Sequence, residues 1–469
     1  MISLRLPSKL TGRLFNSQVA TRSLVRHTHS SLNDTLFIPG PSFHVELPPI
    51  DARHMFHFCR RLLFFRCTSD AQREAQLAAL RSGIQALLAR CPVLGGVVTP
   101  LPPDEAAADK ENWRAIVPGR GIELVVRDLR QTMPTFTELE AMNFPPVRLP
   151  WALLMPISRD LTNDRPHAAC KLQFSAIDGG TILTVAMSHC AADGVGTDDW
   201  MRILTQETRL AQESSRMSER PQGCDPGLHR KSEQAPSNVF GATSTKVPVL
   251  LRLSPAGAVQ LKADATTPGE RISTHDALCA LMWRTVLLMR RRSSAQSIPL
   301  SATSNLFMPS DARRHLPDLP CPYVGNAVYQ IIAALDVATL LSPSGLARAA
   351  SEVRRAITAV TPSLVESYMT FIRDPIASRF IDYQFMNGST TTTGFAMGTS
   401  LGSGDAMYGG DWGKAFGSLV TFRVVGEPVN TVLPKLPDGS IEAIVAVAPE
   451  DVETLTGVGG LWEVSSTVD

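Results

Sequence analysis

The sequence predicts a two-part α/β protein, in which two long segments mix amphipathic helices with apolar strands. Three observations carry that expectation: a helical stripe near residue 80, a hairpin over residues 171–187, and a Pro/Gly/Ser-rich break over 211–248. The break reads as an exposed crossover between a first half, 35–210, and a second, 249–469, with a basic leader over 1–34.

Leu62-Leu63-Phe64-Phe65 reads as a short buried strand. Ser69 or Asp70 then caps a helix whose Leu77, Leu80, Ile84, Leu87 and Leu88 form one 3.6-period stripe, and Pro92 stops it. Lys171-Leu-Gln-Phe-Ser-Ala alternates, Asp178-Gly179-Gly180 turns, and Thr181 to Met187 returns as a strand that delivers His189 to its far end. In the second half Thr274 caps a helix with Leu278, Leu281, Met282, Thr285 and Leu288 on one face. Arg290 to Arg292 fall at the negative end of its dipole. Pro437-Asp438-Gly439-Ser440 turns into a strand, Ile441 to Val447, and Glu450-Asp451 opens a last helix. No short repeat of the solenoid kind is present.

A chain of 469 residues has room for two or three full cores. A net charge of +1 leaves no electrostatic footprint for nucleic acid or an acidic membrane surface. No apolar run approaches the ~18 residues of a spanning helix. The eight cysteines (59, 67, 91, 170, 190, 224, 279 and 321) show no CxxC pair and no zinc spacing, so they read as reduced, mostly buried thiols with no metal site. Residues 1–32 hold Arg5, Lys9, Arg13, Arg22 and Arg26, six serines and no acid, the composition of a mitochondrial transit peptide. A disordered basic leader or a misassigned start gives the same composition, and Pro7 and Gly12 weaken an amphipathic helix there.

The strongest chemical signal is Ser188-His189-Cys190-Ala191-Ala192-Asp193-Gly194. It sets a histidine, which can take a proton near neutral pH, where a strand ends, followed by an aspartate and a glycine suited to a tight bend. A natural division of labour turns the imidazole to a cavity and the carboxylate inward onto an arginine, with Arg313 or Arg314 as that partner. Gly398-Thr399-Ser400-Leu401-Gly402 matches a nucleophile elbow, but no histidine follows Ser400 in the chain, so the hydrolase reading fails. Thr399 and Ser400 remain as hydroxyl donors. His275-Asp276, in the first turn of a capped helix, reads as structural. Gly402-Ser-Gly-Asp and Gly409-Gly410 lack the strand–helix context of a dinucleotide site.

Taken together and in chain order, these segments resemble the BAHD-type acyltransferases, in the form found among fungal secondary-metabolite enzymes. Ser188 to Gly194 is similar to their HxxxDG element. Asp411-Trp412-Gly413, continuing to Phe416-Gly417, resembles a relaxed DFGWG element, with Trp412 where phenylalanine is usual and Lys414-Ala415 in place of the second Trp-Gly. Ser273 to Arg284 resembles the helix opening the second domain, and Asp438-Gly-Ser-Ile-Glu-Ala the C-terminal strand. Asp311-Ala-Arg-Arg with Tyr323-Val-Gly-Asn-Ala327 resembles the arginine segment, read here as Arg313-Arg314-His315 where RxR is usual, so Arg313 is the expected partner of Asp193. Leu401 stands where many relatives carry tryptophan.

The resemblance implies two chloramphenicol-acetyltransferase-like domains with a tunnel at their interface, and His189 at its middle. It implies a cytoplasmic monomer, the leader keeping mitochondrial targeting open, with no bound cofactor and acyl-CoA, in the first place acetyl-CoA, as co-substrate. His189 is then the general base for O-acylation of a terpenoid, alkaloid or polyketide alcohol. Asp193, Gly194 and Arg313 structure its loop, Thr399 or Ser400 supply the oxyanion donor or contact the acceptor, and Asp411, Trp412 and Gly413 are structural. The alternatives left open are an N-acyltransferase, a condensation-domain-like enzyme and a non-catalytic binding paralogue.

Overall fold

The computed structural model describes residues 34–43, 47, 58–100, 114–146, 148–157, 166–213, 247–293, 298–317, 319, 323–373, 392–394, 396–397, 411–424, 430–433, 435–436, 438–452, 455 and 463–467. The first half contributes strands β1 (Asp34–Ile38), β2 (Phe58–Arg66), β3 (Val97–Pro100), β4 (Arg114–Val117), β5 (Ile122–Asp128), β6 (His167–Ala168), β7 (Cys170–Ile177) and β8 (Gly180–Ser188). Its helices are α1 (Asp70–Arg90), α2 (Phe136–Ala141), α3 (Trp151–Leu154) and α4 (Gly194–Gln212). The second half contributes β9 (Val247–Leu253), β10 (Thr303–Asp311), β11 (Val328–Asp336), β12 (Thr392–Gly394) and β13 (Ala396–Met397). After these come β14 (Thr421–Val424), β15 (Thr431–Val432), β16 (Ile441–Val447) and β17 (Glu463–Thr467). Its helices are α5 (Pro255–Asp264), α6 (Thr274–Ser293), α7 (Val337–Leu341), α8 (Gly345–Thr358) and α9 (Pro362–Arg373).

The sheet that carries the histidine loop runs β1-β5-β7-β8-β2-β14. Its centre is the predicted hairpin β7–β8, closed by Asp178-Gly179, with Cys170 opposite Met187 and Ile177 opposite Gly180. β2 pairs with β8 along its whole length and buries Leu62, Leu63, Phe64 and Phe65 completely. Each such side chain contributes roughly 1.5–3 kcal/mol of hydrophobic stabilisation. On one face, Leu62 and Phe64 meet Phe136, Leu139, Phe144 and Leu154 around α2 and α3. On the other, α1 reaches Thr181 through Gln76 (2.9 Å), and α4 packs against α1. Ser69 caps α1 by accepting from Gln72 N, as the sequence suggests, and the helix ends two residues before Pro92. Its buried stripe takes in Arg73 and Gln76 as well as Leu80, Ile84, Leu87 and Leu88, while Leu77 is only half-buried.

Chain order and sheet membership part company at β14. A division at 249–469 assigns it to the second half, yet it pairs antiparallel with β2, Thr421 opposite Phe64. The second half has its own five-stranded sheet, β13-β15-β16-β9-β17, and a three-stranded one, β11-β10-β12. Against α5 and α8 packs α6, which the sequence gives one apolar face. Instead Ala277 to Trp283 are buried without interruption, because sheet and helices enclose the helix. The tract Glu450-Asp451 begins with one 3-10 turn, Pro449–Asp451. Among the described residues no helix is long and apolar enough to cross a membrane.

The start of α6 corrects one expectation: Ser273, not Thr274, is the cap. The Ser273 hydroxyl accepts from Asp276 N at 3.2 Å, and the Asp276 carboxylate accepts from Ser273 N at 2.6 Å. Arg354 of α8 donates to the same fully buried carboxylate through Nε at 2.7 Å and through Nη2. Burial works against the charged form, but hydrogen bonds from His275, Ser273 and Arg354 outweigh it and hold this carboxyl below its ordinary value. Asp276→Ala is expected to lower unfolding stability by about 2–3 kcal/mol, from the lost cap and charge-assisted bonds. Urea titration measures it, and an unchanged midpoint would remove the cap from the account.

Candidate active site

Strand β8 stops at Ser188, and the chain turns at once: Ala191 N donates to the Ser188 carbonyl at 2.9 Å. The Ser188 hydroxyl lies 3.1 Å from Nε2 of buried His167, which fixes the strand end from the side. His189 follows, half-buried at the mouth of the turn. Asn326 Nδ2 donates to its carbonyl oxygen at 2.7 Å. Burial pushes the pKa of the imidazole below the ordinary histidine value. The Asp193 charge, a hydrogen bond to the residue's own backbone and the Asn326 side chain pull upward without prevailing, and Arg61 adds to the lowering. The ring is therefore neutral at neutral pH, the state in which a histidine can accept a proton.

Asp193 closes the turn as N-cap of α4 and is nearly inaccessible, at 2% exposure. Its Oδ1 accepts from Gly196 N at 2.7 Å and from Arg313 Nη2 at 3.0 Å. Its Oδ2 accepts from Arg313 Nη1 at 2.9 Å and from Ala327 N at 2.8 Å. Arg313 spends its remaining donors on Tyr323 O (3.0 Å), Gly325 O (2.6 Å) and Asp311 Oδ1 (3.0 Å). Burial opposes the Arg313 charge, but Asp193 and Asp311 more than reverse that and raise its pKa. Arg314 is exposed, so of the two adjacent arginines only Arg313 meets the carboxylate.

Gly194 and its neighbour differ from expectation. The bend uses no left-handed angle at Gly194, and a Cβ there would meet only Arg61 Nη2, at 4.0 Å. The residue with no room is Gly196, where a Cβ would lie 2.2 Å from Val324 O. Behind the loop, Arg61 of β2 faces Asp198 of α4 across 3.5 Å, both buried. The Cys59 thiol points to Ala192 O, and burial raises its pKa, which makes it a poor nucleophile.

Trp412 is fully buried, edge-on to Phe65 at 5.2 Å and beside Phe416. Asp411 accepts from Gly413 N at 2.9 Å, and Gly413 adopts φ +87°. The turn is read by Gln212, the last residue of α4, which donates to Trp412 O at 2.7 Å and accepts from Ala415 N at 2.6 Å. This element lies at the far end of α4 from Asp193, about 28 Å along a helix of that length. Thr399 and Ser400 lie outside the described residues. Among the described residues no three His, Cys, Asp or Glu side chains are grouped to hold a metal ion. The residues that sequence reasoning missed are Asn326, Gly196, Arg61 and Gln212. Only Asn326 had a signal, as the one amide of the segment Tyr323-Val-Gly-Asn-Ala327.

A family model described as "Transferase family" matches residues 172–456, which span the histidine loop, Arg313, Asn326 and the Asp411-Trp412-Gly413 turn. The chain belongs to that family. Its members are the BAHD-type acyltransferases, and membership makes this protein an acyltransferase. A second model, "Trichothecene 3-O-acetyltransferase-like N-terminal domain", matches residues 58–207. Among curated relatives, the O-acyltransferase pigD of Monascus ruber is 25% identical over 84% of this chain and 92% of its own. The enoyl-CoA isomerase/hydratase claC of Penicillium crustosum is 26% identical over 88% of this chain, which spans only 51% of that longer protein. The crystal structure of F. graminearum TRI101 with coenzyme A and T-2 mycotoxin superposes with a TM-score of 0.71 at 20% identity, covering 91% of this chain and 100% of that one. The transferase fold, with its mixture of helices and sheets, is thereby established.

For a transferase built this way, Asp193→Asn is expected to cost about 3–5 kcal/mol, because it leaves the half-buried Arg313 charged and half-matched. The readout is the melting temperature and soluble yield, and wild-type values for both would remove the pair from its structural role.

Proposed function

We propose that this chain transfers an acyl group, in the first place acetyl, from coenzyme A to a hydroxyl of a secondary metabolite, with His189 as general base. The observation that carries the reading is the split between neighbours: Asp193 is spent on four hydrogen bonds, while His189 keeps a neutral ring in a loop held from both sides. The O-acyltransferase name of pigD and the coenzyme A in the TRI101 structure support the donor and the bond type. T-2 mycotoxin in that structure supports a secondary metabolite as acceptor.

An alcohol is too weak an acid to attack a thioester unaided. His189 takes its proton as the oxygen bonds to the thioester carbon. The tetrahedral intermediate then collapses, the carbon–sulfur bond breaks with its electron pair going to sulfur, and the histidinium returns the proton to the CoA thiolate. No charge is left on the protein and no acyl-enzyme is formed. Thr399 or Ser400 is the proposed donor to the oxyanion, a role worth about 2.7–4 kcal/mol where measured in other enzymes. The site is proposed to lie in a tunnel between the halves 35–210 and 249–469, reached by donor and acceptor from opposite ends of a monomer. An amine acceptor would use the same base, and no observation favours it over an alcohol.

Thermal shift with CoA, acetyl-CoA, longer acyl-CoAs and ATP tests the donor without knowledge of the acceptor. A thioester at 100 times its Kd should add about 2.7 kcal/mol. Selective stabilisation by one thioester is the expected result, and indifference to all of them would leave a binding paralogue or a carrier-dependent enzyme. His189→Ala should fold normally and lose about 10²–10⁴-fold in turnover. Because burial lowers the His189 pKa, kcat/KM is expected to be flat through neutral pH and to fall only on a limb below the ordinary histidine value of about 6.5. A limb above that value would mean the ring is charged at neutrality and would end the general-base assignment.

A further inference from the structure

One buried ion pair in the molecule is poorly made. Glu442 of β16 is 1% exposed and shares the strand face of Ile444, opposite the face that Ala443 and Val445 give to the core around α6. Among the described residues nothing donates to its Oε2, and Arg423 Nη2 of β14 stands 3.9 Å away, beyond hydrogen-bond range. Arg423 spends its N–H groups elsewhere: Nε on Phe144 O at 2.8 Å, Nη2 on Asn143 O, and Nη1 on Thr421 Oγ1 and Phe422 O, both at 3.2 Å. The first two of these carbonyls close α2, where Asn143 and Phe144 hold left-handed angles and Phe144 N reaches back to Leu139 O at 2.7 Å. The chain beyond that turn brings Leu154, Met155 and Ile157 into one cluster with Phe58, the β2 residue opposite Ser188.

We propose that Arg423 is a two-position latch, set by protonation of Glu442, that holds or releases the turn Asn143-Phe144. With Glu442 neutral, the guanidinium rests on the two carbonyls, the position it occupies here. With Glu442 ionised, a buried carboxylate short of hydrogen bonds competes for Nη2. A charged acceptor holds an N–H about twice as strongly as a carbonyl does. Closing the gap of 3.9 Å to bonding distance takes a shift of about 1 Å and withdraws the donor from Asn143 O. The turn then keeps one hold of two, and its left-handed strain favours release. Burial also raises the Glu442 pKa, against the pull of Arg423 and Arg252, and Asp438 adds to the rise. Of the other charges around Glu442, Arg252 lies opposite it on β9 and gives Nη2 to Asp438. Glu463 of β17 stands opposite Arg252 in the register, and β15 carries no titratable residue. The latch does not depend on the general-base reading.

Hydrogen exchange of the full chain tests it, read by mass spectrometry on peptides covering 136–157 and corrected for the intrinsic effect of pH, with the hairpin 170–188 as reference. In the wild type, peptides 136–157 are expected to exchange about tenfold faster at about pH 8 than at about pH 5, the factor carried by one unit of pKa coupling, while the hairpin stays constant. Glu442→Gln, uncharged at every pH, should keep the slow rate throughout. It should also gain melting temperature over the wild type as pH rises, because a carboxyl whose folded pKa is raised loses stability as pH climbs through that value. Arg423→Lys, whose single ammonium cannot hold two carbonyls as a planar fork does, should exchange fast at both pH values, and it serves if the glutamine variant does not fold. A rate for 136–157 that ignores pH in the wild type, or a change shared equally by the hairpin, would overturn the proposal. So would a pH response equal to wild type in either folded variant.

Discussion

Much of this molecule's site depends on one buried carboxylate. An ionised aspartate at 2% exposure would cost several kcal/mol if left alone, and Asp193 avoids that cost by taking four donors, two of them from one guanidinium. Such a pair adds little net stability over a well-packed apolar pair, because both ions lose water. What it confers is geometry: the planar fork of Arg313 accepts only one arrangement of the carboxylate. Since Arg313 also holds Tyr323 O and Gly325 O, a loop of the first half and a loop of the second are fixed to one another by a single cation.

From that pair, order spreads along rigid elements. Asp193 caps α4, whose other end, Gln212, binds the turn at Trp412 to Ala415. Trp412 in turn is wedged against Phe65 of β2, so the turn, the helix and the central strand fix one another. β14, a few residues on, joins the first sheet and carries Arg423 into a buried position. There Arg423 donates to Phe144 O at 2.8 Å and to Asn143 O, while facing Glu442 of β16 across 3.9 Å. Asn143 and Phe144 both sit at positive φ, 57° and 48°, which for phenylalanine is strained. Two hydrogen bonds from a buried guanidinium and the packing of Phe144 on Phe64 and Phe136 hold a conformation the local sequence would not choose.

How much of this could be read in the sequence depends on range. The hairpin 170–188 was legible because alternation, an Asp-Gly turn and a following apolar strand are all local signals. The α6 cap was nearly so: Ser273 and Thr274 can both cap, and only the three-residue spacing from Ser273 to Asp276 separates them. The enclosure of α6 was not, since its main neighbour α8 and the strand β12 come from 50 or more residues further along the chain. β14 reads as a short strand with no address, and its pairing with β2 is decided by Trp412 and Phe416 packing on Phe65. The Asp193 pairing came from family resemblance, because nothing in the spacing of residues 193 and 313 brings them together. Asn326 was the least legible of all, an uncharged amide in a loop whose task appears only when two loops are folded together.

The separation of roles between His189 and Asp193 has a chemical logic. Had the carboxylate been set against the imidazole alone, its charge would favour the histidinium and raise the ring's pKa. A ring charged at neutral pH is no base. Neutralised by Arg313, Asp193 still pulls the ring upward, yet burial prevails and the net shift is down. The backbone at His189 is then held by a group without charge, the Asn326 amide on its carbonyl. The loop thus gains the rigidity of an ion pair at its base and keeps a neutral acceptor at its tip, and that combination favours a reaction whose proton is taken up and returned within one turnover.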